Sequence, residues 1–415
     1  MELHTRPQRA IDDLLELRRR TSTAAGAQRV AWTETWDSAR RLLRERLAEL
    51  PVDVSVDEAG NLWALLPGDS PDVVIVGSHL DSVPDGGWLD GAYGVMGGLE
   101  VLRAAAEQAS RPYSLALVDW ADEEGARFGR SLFGSAAAAG TLDLDSVRDL
   151  TDADGQRLVD VLESYGISLD KMSAARARLA RAVAYLELHI EQGPVLEHEG
   201  LPIGVVQGTV GIERYVVTFE GVAAHAGSTP IDRRHDAMIP AARTVLAVRE
   251  TAERNSGVGT VGSVVGEPGI VTATAERATL LVDLRHIDAE RLAAMLADAR
   301  EAAEKAAAAE GCRLRWDRLL SLAPQPFDPR LVERVADACT SVCGAAFELP
   351  SGALHDATSI APHVPTAMLF AASIDGLSHN RSEDSRYEDL RDGVAAFGRL
   401  VGSVLTSRPR PDQGS

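Results

Sequence analysis

The stretch from Val73 to Leu99, VVIVGSHLDSVPDGGWLDGAYGVMGGL, limits what this chain can fold into more than any other. It opens on an apolar, β-branched run, Val73 to Val76, whose pattern is that of a buried strand. His79 and Asp81 follow at the strand's end, then Asp90-Gly91, then a segment from Ala92 to Ala106 with helical spacing. Open α/β sheets bind ligands in the loops beyond the C-terminal ends of their strands. A His and two Asp residues in such loops suit a metal site. Taken alone, they are equally a capped turn and an Asp-Gly turn.

Other stretches repeat the arrangement. Tyr113 to Trp120, YSLALVDW, reads as a strand and runs into Asp122-Glu123-Glu124-Gly125. Val183 to Ile190, VAYLELHI, carries His189 near its end and leads into Glu191-Gln192-Gly193-Pro194. Thr366 to Ala371 is a strand followed by a loop with Ser378-His379-Asn380. Around them, Thr33 to Glu49 reads as a helix, Val52 to Leu66 as a hairpin, and Pro329 to Cys343 and Leu390 to Leu405 as helices. Ala136 to Gly140 and Asp145 to Tyr165 read as irregular helix.

The character changes near Gly211. Tyr215 to Glu220 and Ala278 to Leu284 read as strands, Asp236 to Arg254 and Asp288 to Glu310 as helices. This piece forms a small α+β domain with an antiparallel sheet and two helices. The Pro-bearing Leu322 to Pro329 leads back. The domain reading is therefore a catalytic domain over 1–210 and 326–415, with an insert at 211–325. The last ten residues, TSRPRPDQGS, read as a frayed tail.

Composition excludes several functions. The formal net charge is −20 and no basic tract stands out, so nucleic acid is not an expected partner. No window approaches the roughly 18 apolar residues of a membrane span. The start, MELHTRPQRAIDDLLELRRR, lacks the pattern of a signal peptide, which makes the cytoplasm the expected compartment. Cys312, Cys339 and Cys343 lack zinc-finger spacing and read as packing residues.

The polar groups at strand ends are His79, Asp81, Asp90, Glu123, Glu124, His189 and His379. A parallel sheet brings such ends to one edge. Two imidazole-bearing sets sharing a carboxylate bind two divalent ions, zinc first among them. Bridged ions of this kind lie ~3.5–4 Å apart, and a short carboxylate on a tight turn, such as Asp90, suits the bridge. Asp81 suits an acceptor that orients His79. Neighbouring residues of an extended segment point to opposite sides. One of Glu123 and Glu124 is thus free to bind metal while the other serves as general base.

Seven motifs stand in order along nearly the whole chain: GSHLDSVPDGGWLDGAYGV, DEEGARFG, ELHIEQGPVLE, GVAAHAGSTP with RRHDA, VDLRH, SGALHDA and DGLSHNRSED. Together they resemble the two-metal amidohydrolases of the aminoacylase/carboxypeptidase superfamily. The branch is that of N-carbamoyl-L-amino acid hydrolases, allantoate amidohydrolases and β-ureidopropionases. The resemblance implies an α/β, mixed-sheet, two-metal aminopeptidase-like catalytic domain with an inserted α+β dimerisation (lid) domain. It implies that His79, bridging Asp90 and His189 hold one metal, and Asp90, Glu124 and His379 the other. Glu123 is then the base, and Asp81 orients His79. Zn²⁺ is the expected metal, with Mn²⁺, Co²⁺ and Ni²⁺ also suited to these ligands. Gln192, His355 and Arg285 are implied to contact substrate, Arg285 gripping a carboxylate. His225, from the partner subunit of a homodimer, is implied to stabilise the oxyanion.

The sequence departs from this branch at two places. Thr272 stands where the family carries an Asn that contacts substrate, and Leu354 where it carries a Gly. A hydroxyl cannot reproduce the paired hydrogen bonds of an amide, and a Leu adds bulk beside the site. The activity implied is hydrolysis of the carbamoyl C–N bond of an N-carbamoyl-L-amino acid or close ureido acid. Hydrolysis of allantoate or ureidoglycolate, and of N-acyl-amino acids, are the alternatives.

Overall fold

The computed structural model describes residues 2–406, so all of the tail beyond Thr406 lies outside the described residues. The chain divides into two compact units. One takes in the chain up to Gly208 and again from Phe327, and the other is Thr209–Pro326.

In chain order, the first unit opens with α1 (Pro7–Thr21), α2 (Glu34–Leu47), β1 (Asp53–Val56), β2 (Leu62–Leu66), β3 (Ser70–His79) and α3 (Ala92–Ala106). It continues through β4 (Tyr113–Trp120), α4 (Phe133–Ala139), β5 (Ala182–Ile190) and β6 (Ile203–Thr209). The second unit holds β7 (Gly211–Glu220), α5 (Met238–Asn255), β8 (Val258–Glu267), β9 (Arg277–His286), α6 (Ala289–Glu310) and β10 (Arg313–Leu322). The first unit then resumes with α7 (Pro329–Cys343), β11 (Glu348–Ser351), α8 (Asp356–Ile360), β12 (Thr366–Ala371) and α9 (Tyr387–Leu405).

The first unit is built on a mixed sheet in the order β6-β12-β5-β3-β4-β2-β1, with β11 beside β6. Its centre, β12-β5-β3-β4, is parallel, and the flanking pairs β12-β6, β4-β2 and β2-β1 are antiparallel. The two-residue period of a strand explains how both faces are covered. Val74, Val76, Leu115, Leu117, Leu186 and Leu188 pack into one core with α1, α2, α3, α7 and α9. Ile75, Ala116, Val118 and Tyr185 pack into another with α4 and α8. Strands buried on both faces read as unbroken apolar runs, which is how β3, β4 and β12 stand out in the sequence.

The stretch read as irregular helix over Asp145 to Tyr165 holds two short helices, Leu144–Val147 and Leu158–Ser164. Asp152 separates them by accepting the backbone N–H groups of Asp154 and Gln156, the local competition with helix that Asp side chains offer.

The second unit is an antiparallel sheet in the order β8-β9-β7-β10. Tyr215, Val217, Phe219, Leu280, Val282 and Leu284 pack with α5 and α6 in its own core. Asp288 caps α6 by accepting the Arg291 N–H, and Gly311 ends it. β8 and β10 are strands beyond the two read from the sequence.

Candidate metal centre and active site

Parallel pairing carries the chemistry to one edge. His79 ends β3 opposite Trp120, the last residue of β4, and His189 on β5 lies beside Phe370 of β12. The loops leaving these strands supply Asp90, Glu123, Glu124 and His379. Five donors read from the sequence converge there as two groups, His79–Asp90–His189 and Asp90–Glu124–His379. Within each, one ligand atom per residue lies within 4.8 Å of the others.

Asp90 belongs to both groups. Its Oδ1 is 3.2 Å from His189 Nε2 and 3.7 Å from His79 Nε2, while its Oδ2 is 3.2 Å from His379 Nε2. Glu124 Oε2 is 3.3 Å from that same His379 nitrogen. The two buried imidazoles are held from behind. His79 Nδ1 is 3.1 Å from the Asp81 carbonyl, and His189 Nδ1 is 2.9 Å from the Ile190 carbonyl. A carbonyl only accepts, so each Nδ1 carries a proton and each Nε2 is turned toward Asp90. Burial opposes ionisation of Asp90, but hydrogen bonds with His189 and His379 hold its carboxyl well below the usual range. Burial likewise opposes the charge on His189, and the bond with Asp90 outweighs it, pushing the imidazole up to about 9.

Asp122 turns the chain at φ 56°, and Glu123 and Glu124 face different partners. Glu123 Oε2 is 3.8 Å from His79 Nε2, and Glu124 faces His379. The Asp81 carboxylate accepts the backbone N–H of both, at 3.2 and 3.1 Å. Asp81 thus orients His79 chiefly through its carbonyl, its carboxylate oxygen standing 3.6 Å from the ring, and its side chain shapes the Glu-Glu turn. Burial, then the charges of Asp356 and Glu124, push Glu123 well above the usual carboxylate range.

The donor set fits two divalent cations. Imidazole Nε2 lone pairs and carboxylates of this kind suit zinc and its neighbours. Glu124 Oε1 is buried without a hydrogen-bond partner, an atom left open to a ligand. A third group, Glu187–His189–His355, is also close. Its Glu187 carboxylate, however, already accepts from Ser78, Tyr185 and the Ala357 N–H.

The remaining predicted residues are spread more widely. Gln192, at φ 58°, donates its amide to Asp90 Oδ2 at 2.9 Å and to Ser378 Oγ at 3.0 Å. His355 is buried, 2.8 Å from Ser351 Oγ, with its ring edge-on to His189. Leu354, beside it, is half-buried. In the second unit, His225 Nδ1 accepts the N–H groups of Gly227 and Ser228. That leaves Nε2 as the donor nitrogen of a residue on an exposed loop. Thr272 shares that loop cluster, its carbonyl accepting the Ala226 N–H. Arg285 binds Asp283 and pairs with Ile212, at the other end of the sheet. From Ile212 to Glu220, which precedes the His225 loop, eight strand steps span about 26 Å. Sequence reasoning missed Glu383. It lies in DGLSHNRSED, but it acts on backbone groups, and no side-chain pattern announces that.

The sequence matches peptidase family M20/M25/M40 over residues 75–403. Among curated proteins, it is 37% identical over 382 residues to an N-carbamoyl-L-amino acid amidohydrolase of Geobacillus stearothermophilus, covering 91% of this chain and 93% of that one. It is 34% identical to an allantoate amidohydrolase of Escherichia coli, with the same coverage. Among solved structures, an amidase of the hydantoinase/carbamoylase family from Burkholderia multivorans superposes with a TM-score of 0.89 at 33% identity, covering 98% of this chain and 100% of that one.

Proposed function

The chain belongs to peptidase family M20/M25/M40 and is a hydrolase of C–N bonds, and from that premise we propose that it cleaves the carbamoyl C–N bond of an N-carbamoyl-L-amino acid or a close ureido acid. The products are the amino acid, ammonia and carbon dioxide. The observation that carries the reading is Asp90, whose two oxygens face separate histidine sets.

In this reading His79, Asp90 and His189 hold one divalent cation and Asp90, Glu124 and His379 a second, with Zn²⁺ the first candidate and Mn²⁺, Co²⁺ or Ni²⁺ the others. Bound there, the two cations would polarise the scissile carbonyl and let water lose a proton near neutral pH. Glu123 takes that proton as the water oxygen attacks the carbamoyl carbon, and delivers it to the leaving nitrogen as the C–N bond breaks. His225 Nε2–H donates to the developing oxyanion. Arg285 grips the substrate carboxylate through its two-pronged guanidinium, and Gln192 and His355 contact the substrate. Arg285 and His225 lie at opposite ends of one sheet, which favours supply of His225 by the second copy in a homodimer.

A second reading, hydrolysis of allantoate or ureidoglycolate, is favoured by the allantoate amidohydrolase match, which covers as much of the chain. The test is release of ammonia and free amine from N-carbamoyl-L- and D-amino acids, N-carbamoyl-β-alanine, allantoate and N-acetyl-amino acids, after loading with Zn²⁺ or Mn²⁺. Turnover of an N-carbamoyl-L-amino acid supports the first reading. Turnover of allantoate alone moves the second ahead, and turnover of N-acetyl substrates alone overturns both.

A further inference from the structure

Glu383 lies four residues beyond His379, in the loop that leads to α9, and is only 2% exposed. Its Oε1 accepts two backbone N–H groups, from Leu89 and from Asp90, each at 3.0 Å. Its Oε2 accepts the Ser378 hydroxyl at 2.9 Å. Ser378 in turn lies 3.4 Å from Asp90 Oδ2 and accepts the Gln192 amide. The Glu383 N–H is bonded to the Asn380 carbonyl, which fixes the loop that carries this carboxylate. Gly87 leaves the seat open, since a β-carbon there would overlap the Glu383 carboxyl. One buried carboxylate therefore ties the backbone of Asp90 to the residue immediately before His379. Those two stretches are far apart in sequence and carry ligands of the same donor group.

We infer that Glu383 is a positioning residue that fastens the Asp90 loop to the His379 loop and so sets the spacing of the group Asp90–Glu124–His379. The inference rests on the two-cation reading above. A carboxylate is required because both backbone partners only donate and Ser378 needs its remaining bond accepted. Glutamine would keep the shape but turn an –NH₂ toward Ser378, whose one hydroxyl hydrogen must then leave that arm and turn toward Asp90 Oδ2, an oxygen of the donor group. Outer partners of this type typically change metal affinity by about 10–100-fold.

The experiment is equilibrium dialysis of the full chain against Zn²⁺, with visible absorption of the Co²⁺-loaded protein as a second readout. Wild type is expected to take up two equivalents. Glu383→Gln should fold, keep one equivalent at close to wild-type affinity, and bind the other about 10–100-fold more weakly with an altered Co²⁺ band. Ser378→Ala, which removes the Oε2 arm and one acceptor of the Gln192 amide but leaves the Oε1 arm intact, should weaken the same equivalent by less. Wild-type affinity for both equivalents in folded Glu383→Gln overturns the inference. If that variant does not fold, Ser378→Ala decides by the same criterion. If wild type takes up no metal, the two-cation reading itself fails, an outcome distinct from variants that bind like wild type.

Discussion

Gly91 sits where the donor groups can least tolerate a side chain. Its φ is 63° and ψ −47°, a conformation that costs an L residue about 1–3 kcal/mol. A β-carbon built there overlaps three atoms of the His79 imidazole. Ordinary carbon contacts lie at about 3.5–4.0 Å, so the ring must retreat by about 1 Å. His79 has nowhere to go, being 2% exposed and tied to the Asp81 carbonyl. Gly91→Ala therefore displaces one donor of the candidate site and tilts the Asp90 turn, whose Gly91 N also lies 3.2 Å from His189 Nε2. Strain and overlap together should destabilise the fold by about 2–4 kcal/mol, within the range of backbone and overpacking defects. A displacement of that size at a reacting centre costs about 10²-fold in kcat. The assays are urea unfolding, metal content after dialysis and turnover of the best substrate in the panel. Wild-type metal content together with kcat within about threefold of wild type would refute the claim that Gly91 sets the position of His79.

Three further outcomes are expected. Glu123→Ala should lose about 10²–10⁴-fold in kcat while retaining both equivalents of metal, since it faces the donor groups and is not one of the five proposed donors; normal turnover would remove it from the proposed base role. Arg285→Ala should raise KM for carboxylate substrates by about 10–100-fold, the loss of a charged hydrogen bond of about 1.5–3 kcal/mol, with kcat changed less. An unchanged KM would reject that assignment. Metal uptake should release a proton, because His189, pushed up to about 9 by Asp90, holds one through neutrality and a cation must displace it. Asp90 lies well below its usual range and releases none. Burial raises Glu124 well above the usual carboxylate range, which adds a proton to displace, so affinity should fall as pH drops below about 9, by at least about tenfold per pH unit, and calorimetry that finds no pH dependence would contradict it.

The features legible in sequence were those that rest on strong local patterns. β4, α3 and β12 coincide with the ranges read from apolar runs and helical spacing, because burial on both sides leaves few polar residues to blur them. β8 was not legible. It carries glycines at 259, 262 and 266 and shows mostly half-exposed or exposed side chains, so its pairing with β9 comes from the sheet and not from its own pattern. β10 alternates, but its alternate residues are Arg, Asp and Ser. At the site, the five donors stood out because each is a His or carboxylate at a strand's end or in the loop that follows one. The partner of His79 Nδ1 did not, since it is a backbone carbonyl. Glu383 was invisible for the same reason, its three bonds going to two N–H groups and a serine.

The division of the donors along the chain has a consequence for biosynthesis. His79, Asp90 and His189 all precede the second unit, and His379 follows it. A nascent chain that has emerged through β5 already contains the first donor group entire. The second group cannot close until the whole of Thr209–Pro326 has been made and β12 has entered between β5 and β6. Translation thus imposes an order on the two groups, and a chain interrupted within the second unit carries a half-formed centre that no later step can complete.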